Sequence, residues 1–208
     1  MKEQQSRLKA CGRGDRTRGF SMVEMVVVVA VAMTLMAIVT LQAQPALLQI
    51  RANTAKDQIQ SALRTAREMA ISDRRSVKVE FLVNPAGNPA GSYVRLTRQG
   101  GGFGPDTVIQ FLAIQNSVVF TTFNGVPDTP DGYGNAAPIY FGGVANGPAA
   151  GMFYQSDGTF ITSTGIPING TVFLGIPGQP STARAITVLG TTGRVRSYHI
   201  STTTWFDY

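Results

Sequence analysis

Apolar residues set in sharply at Phe20 and run on to Leu41, with Met25–Leu41 interrupted only by Thr34 and Thr40. Counted from Phe20 the stretch has 22 residues, enough to span a bilayer as a helix. Beyond it, Leu48, Ala52, Ala55, Ile59, Ala62, Ala66 and Met69 recur at three- and four-residue spacing, while Arg51, Lys56, Asp57, Gln60, Arg64 and Arg67 occupy the other faces. That is the period of an amphipathic helix with one face to bury. The pattern predicts a long helix over 20–71, its second half covering a sheet, with Pro45 kinking or locally opening the chain between the halves.

The period then switches from about 3.6 to 2. In "SVKVEFLV" (76–83) Val77, Val79, Phe81 and Val83 alternate with Lys78 and Glu80, the signature of a half-buried strand. Further short β runs follow: "SYVRLTR", "TVIQFLAI", "SVVFTTF", "IYFGGV", "GMFYQ", "TFITS", "TVFLGI" and "AITVL…RVRSYHI". They are separated by turn-forming stretches such as "NPAG", "GGGFGP", "VPDTPDGYGNAAP", "SDG" and "GTTG". Asp157-Gly158 between two such runs predicts a hairpin. No second long helix is evident, so the expected class is α+β, one long helix packed on an antiparallel β-sheet domain spanning 72–208.

Charge is unevenly distributed. Residues 1–19 carry six basic and two acidic side chains, whereas 20–208 carry twelve and ten. The high pI therefore belongs largely to the leader, and a broadly basic, nucleic-acid-coating surface is not expected of the β-rich domain. Six cations precede the apolar run and two, Arg51 and Lys56, follow shortly after, which places the leader in the cytoplasm and the bulk of the chain across the membrane. An ordinary secretory signal fits poorly, because "LQAQPA" (41–46) has no small-x-small cleavage pair and Pro45 obstructs cutting. The single cysteine, Cys11, lies in the leader, so no disulfide and no cysteine-based metal site is available in 20–208.

One residue breaks the apolar pattern. Glu24 stands at the head of the run, where a carboxylate costs on the order of 2.5–3.5 kcal/mol at the bilayer centre and less towards its boundary. The stretch around it, "RGFSMVEMVVVVAVAM", resembles the class III signal of type IV pilins and type II secretion pseudopilins: a basic leader ending in Gly, an aromatic residue, and Glu at the fifth mature position ahead of about 15 apolar residues. The resemblance implies cleavage between Gly19 and Phe20 by prepilin peptidase, N-methylation of Phe20, residence in the bacterial inner membrane with a periplasmic globular domain, and assembly with other pilins or pseudopilins into a filament. Met22 and Met25 stand where Leu and Ile are commoner. After such a cut Glu24 lies about 6 Å along the helix from the new amino terminus. In a packed filament it would pair with the amino group of a neighbour and set register, since a misaligned packing leaves both charges unpaired.

The C-terminal "FYQSDGTFI…AITVLGTTGRVRSYHI" resembles the pseudopilin H and FimT/FimU minor-pilin group, in which an F…DG hairpin precedes an I-x-V…G-R-x-R hairpin. Arg194 and Arg196 are two apart on a strand and share a face with Tyr198, with Arg184 as a candidate further charge. The FimT type implies DNA contact through this element during uptake; the alternative is a solubilising or subunit-contact role. A membrane-anchored β-rich binding protein is the reading from outside the filament class. Enzymatic chemistry is not expected: His199 is the only histidine, no serine sits in a nucleophile elbow, and "GGGFGP" lacks the Lys-Ser/Thr of a phosphate loop. No cofactor or metal is expected. Asp128, Asp131 and Asn135 in the 124–138 loop offer oxygens to calcium, but their spacing is not that of an EF-hand.

Overall fold

The computed structural model describes residues 20–102, 104–114, 117–201 and 203–207. The chain divides into two compact units, Met1–Ala43 and Gln44–Tyr208. Helix α1 (Met22–Asp73) contributes to both, and Pro45 lies inside it. The helical assignment is unbroken there, so the expected local opening at Pro45 is not found. A proline removes one N–H donor, and the turns on either side carry the helix past it.

In the Gln44–Tyr208 unit the buried stripe of α1 comprises Ala52, Ala55, Ile59, Ala62, Leu63, Ala66 and Ala70, each no more than 2% exposed. Five of the seven are alanines, so the buried face of the helix is built largely from small side chains. Two antiparallel sheets form around this stripe. The first has the order β3-β2-β1-β7-β8, with β1 (Val77–Val83), β2 (Ser92–Arg98), β3 (Thr107–Ala113), β7 (Met152–Tyr154) and β8 (Phe160–Thr162). The second has the order β12-β11-β10-β9-β5-β6, with β5 (Ile139–Phe141), β6 (Val144–Ala145), β9 (Gly170–Gly175), β10 (Arg184–Leu189), β11 (Arg194–Ser201) and β12 (Thr204–Asp207); β4 (Val119–Phe120) also pairs with β9. A single core joins the α1 stripe to Val77, Val79, Val94 and Leu96 of the first sheet and to Val172, Ile186, Val188 and Val195 of the second. Phe81, Phe141, Phe160 and Tyr154 form a chain of ring contacts across it, with centroids 4.7–5.9 Å apart.

The alternation in 76–83 translates into buried Val77 and Val79 against half-buried Lys78 and Glu80. Glu80 is bracketed by Lys78 at 2.9 Å and Arg95 at 2.7 Å. "IYFGGV" is two strands rather than one, because Gly142 and Gly143 form the turn between β5 and β6. The sequence pattern gave no sign of β12, which pairs with β11 through Ile200 and Trp205. Trp205 anchors a second, smaller core on the outer face of the second sheet, with Phe173, Ala185, Tyr198 and Ile200, covered by Phe123 and Val126.

Candidate functional site

Two regions contain the residues singled out from the sequence. The first is the N-terminal stretch of α1. Gly19 lies outside the described residues. Phe20 is 72% exposed, and the apolar side chains from Met22 to Val39 are exposed as a group. This stretch is long and apolar enough to cross a membrane. The Ser21 carbonyl accepts from the Met25 N–H at 3.1 Å, which makes Ser21 the residue capping α1, with Glu24 in the first turn. The Ser-x-x-Glu spacing is that of a capping box, and a carboxylate at this end of a helix is favoured by the unpaired N–H groups. Glu24 thus has a local reason to be tolerated beside any intermolecular one.

The second region is the β10–β11 hairpin. Register pairs Arg196 with Thr187 and Arg194 with Leu189, so both arginines lie on the outer face of the sheet with Tyr198. Arg184 pairs with His199 and faces the opposite way. It is 3% exposed and donates from Nε to Asn53 Oδ1 at 2.7 Å and from Nη2 to Gln49 Oε1 at 2.5 Å, with further bonds to the Ala183 and Ser181 carbonyls. The expectation that Arg184 adds charge to the arginine face is therefore corrected: it ties β10 to α1.

Arg196 is also engaged. Its Nη1 donates to Asp131 at 2.9 Å, and the same carboxylate accepts from Tyr198 at 3.0 Å and from Thr187 at 2.5 Å. The loop between β4 and β5 is thereby latched across the sheet, helped by Trp205 Nε1 donating to the Pro127 carbonyl at 2.8 Å. Burial, with the Asp131 carboxylate beside it, pushes the Tyr198 phenol up from its ordinary value. Hydrogen bonding to Tyr198 and the charge of Asp131 push the Arg196 guanidinium up. The loop oxygens considered for calcium are turned to other uses: Asp128 accepts from the Thr129 and Gly134 N–H groups at 2.7 and 2.8 Å, and Asp131 serves the latch. Among the described residues no group of three or more His, Cys, Asp or Glu gathers as a metal site.

Sequence reasoning missed the neighbours of Arg194. It lines a cleft of about 360 Å³ with Arg64, Arg67, Glu68 and Ser197. Arg67 donates from Nε to the Gly158 carbonyl at 3.2 Å, at the point where two hairpin tips meet. Gly193 has φ +62°, and a Cβ there would lie 2.0 Å from that same Gly158 oxygen. The Asp-Gly and Gly-Arg pairs read separately in the sequence are thus one contact in space. The helical spacing of Arg64 and Arg67 was visible, but nothing in it indicated that β11 lies opposite.

Residues 15–40 match the model of the prokaryotic N-terminal methylation motif. The matched stretch runs into the start of α1, and the architecture that follows it is one long N-terminal helix on antiparallel sheets. Two solved structures are similar to the chain. The minor pseudopilin EpsH from the type 2 secretion system of Vibrio cholerae is 13% identical at a TM-score of 0.45, covering 72% of this chain and 97% of its own. The type IV minor pilin FimU of Pseudomonas aeruginosa is 14% identical at a TM-score of 0.42, covering 74% and 91%. No curated protein matches by sequence.

Proposed function

We propose that the chain is a minor pilin or pseudopilin, a structural, non-catalytic subunit of a type II secretion pseudopilus or type IV pilus. The observation that carries this reading is the methylation motif at 15–40, laid over the start of α1, where the apolar side chains from Met22 to Val39 are exposed. In this role prepilin peptidase cuts between Gly19 and Phe20, and Phe20 is methylated. The leader lies on the cytoplasmic side of the inner membrane and the β-rich domain on the periplasmic side. Packing of α1 against other pilins covers its apolar face, and Glu24 sets register by pairing with a neighbour's amino terminus. The decisive measurement is the mass of the mature N-terminal peptide from membrane-extracted protein. Methylated Phe20 is the expected terminus; an uncut precursor overturns the reading and favours a plain membrane-anchored binding protein.

DNA contact is a second reading, favoured by the presence of Arg64 and Arg194, neither with a side-chain partner among the described residues, in one cleft with Arg67. Arg196 contributes less than the sequence suggests, since Asp131 already neutralises it. Duplex binding at low salt that weakens in Arg64→Ala/Arg194→Ala supports this reading, and binding indifferent to that pair removes it.

A further inference from the structure

The strand edges of the two sheets are not equally protected. β6 has two residues and β12 four, while β8 has three and is met by Pro167 through a bridge with Ile161. β3 has seven residues, pairs only with β2 among the described strands, and reads "TVIQFLA", without charge or proline. Natural edges of this length normally carry a Lys, a Pro or a cover. A bulge opposite Leu96 and Thr97 disturbs its start, leaving Gln110–Ala113 regular. The Ile114 N–H donates to the Ser92 carbonyl, so by antiparallel alternation the N–H and C=O of Phe111 and Ala113 point away from β2. Val108 and Phe111 are 54% and 42% exposed on the outer face.

On the other face a groove of about 410 Å³ separates this edge from α1, lined by Thr54, Asp57, Gln58 and Ser61 of the helix and by Gln110 and Leu112. Gln58 Oε1 is buried and has no hydrogen-bond partner among the described residues. A buried acceptor left unpaired is costly, and a partner's donor would recover that cost. The one charged side chain lining the groove is the carboxylate of Asp57, whose Oδ1 also pairs with Lys56 at 2.8 Å. Edge and groove together specify an occupant with an extended backbone and donor side chains at every second position.

We propose that the free edge of β3 receives an extended segment of a neighbouring filament subunit as an added strand, with Lys, Arg, Asn or Gln side chains directed into the groove towards Gln58 and Asp57. This rests on the filament reading above, which supplies the neighbour. Main-chain pairing to Phe111 and Ala113 provides affinity, and the groove selects the side chains. A two-fold pairing of β3 with β3 of a second copy would bring two identical uncharged edges together and leave Gln58 facing whatever the copy's own strand offers, Gln110 or Leu112, of which one alone has a donor.

The test uses the full chain in membranes, with Gln110→Cys as the attachment point for a short cross-linker, since the only native cysteine is Cys11. The expected adduct joins residue 110 to another subunit of the filament, through a peptide with donor side chains at alternate positions. Ala113→Pro, which removes an outward N–H without touching the β2 ladder, should abolish the adduct, and so should Val108→Lys, which puts a charge on the exposed edge. Gln58→Leu should weaken it several-fold. Mature N-termini are read in the same samples. An adduct unchanged by Ala113→Pro and Val108→Lys, an adduct with a second copy alone, or no adduct from a correctly processed chain overturns the strand-addition proposal. An uncut wild-type precursor overturns the filament reading instead, and with it a neighbouring subunit as occupant.

Discussion

Asp131→Ala tests whether one carboxylate holds the β4–β5 loop to the second sheet. The side chain is 12% exposed and accepts from Thr187, Arg196 and Tyr198. Each bond to a charged acceptor is worth roughly 1.5–3 kcal/mol, but a simple sum overstates the loss. The Arg196 side chain is 37% exposed and returns to water when released, which discounts its share. Tyr198 is buried at 2% and keeps most of its penalty. A net loss of about 3 kcal/mol follows, close to the lower bound for breaking a buried pair on one side. For a domain of this size that is a fall of roughly 6–12 °C in Tm. The assay is urea and thermal unfolding of a fragment starting at Gln44, which contains the whole buried core. The emission of Trp205, the only tryptophan, reports on the loop through its bond to Pro127. Asp131→Asn, which keeps the shape and an acceptor, should lose about half as much. A loss under about 1 kcal/mol in Asp131→Ala, with Trp205 emission unchanged, would refute the latch.

Gly193→Ala should destabilise the same fragment by on the order of 2–3 kcal/mol, because it meets both a left-handed backbone and the Gly158 carbonyl; denaturant midpoints decide this. Burial, with Arg184 and Lys56 nearby, holds the His199 imidazole below its ordinary value. The folded state therefore resists that proton: stability is intact above about pH 6.5 and lost as pH falls through the depressed value, and His199→Gln should flatten this part of a Tm–pH profile. Glu24→Val should leave processing and membrane insertion intact while reducing cross-links to other filament subunits, and unchanged cross-linking would remove Glu24 from assembly. A bulky residue at Gly19 should leave the precursor uncut and about 2 kDa heavier on a gel, the leader being 19 residues long.

What periodicity could reveal, it revealed. β2 occupies the run "SYVRLTR" residue for residue, and the α1 stripe follows the three- and four-residue spacing. β12 was hidden because "TTTWFDY" has no alternation; Trp205 becomes buried once Ile200 lies opposite, while Phe206 beside it stays exposed. That the strands form two sheets was equally illegible, since alternation tells which side chains share a face and not which strand adjoins which. The candidate site divides in the same way. The shared face of Arg194 and Arg196 is a local consequence of strand geometry. The neutralisation of Arg196 depends on a residue 65 positions earlier, and the burial of Arg184 on one 135 positions away. No local pattern encodes partners at such separations.

The fastening of Arg184 to Gln49 and Asn53 has a mechanical side. These two residues precede Ala52, Ala55 and the rest of the buried stripe or stand at its start, so tension entering the domain along α1 from its N-terminal side reaches the guanidinium before most of the apolar packing. Arg184 is a strand residue held on both flanks, by β9 through Leu174 and by β11 through His199. Load taken up there passes into β10 and, through its two ladders, into β9 and β11. The helix can thus be pulled without its apolar stripe being the first thing to peel from the sheet.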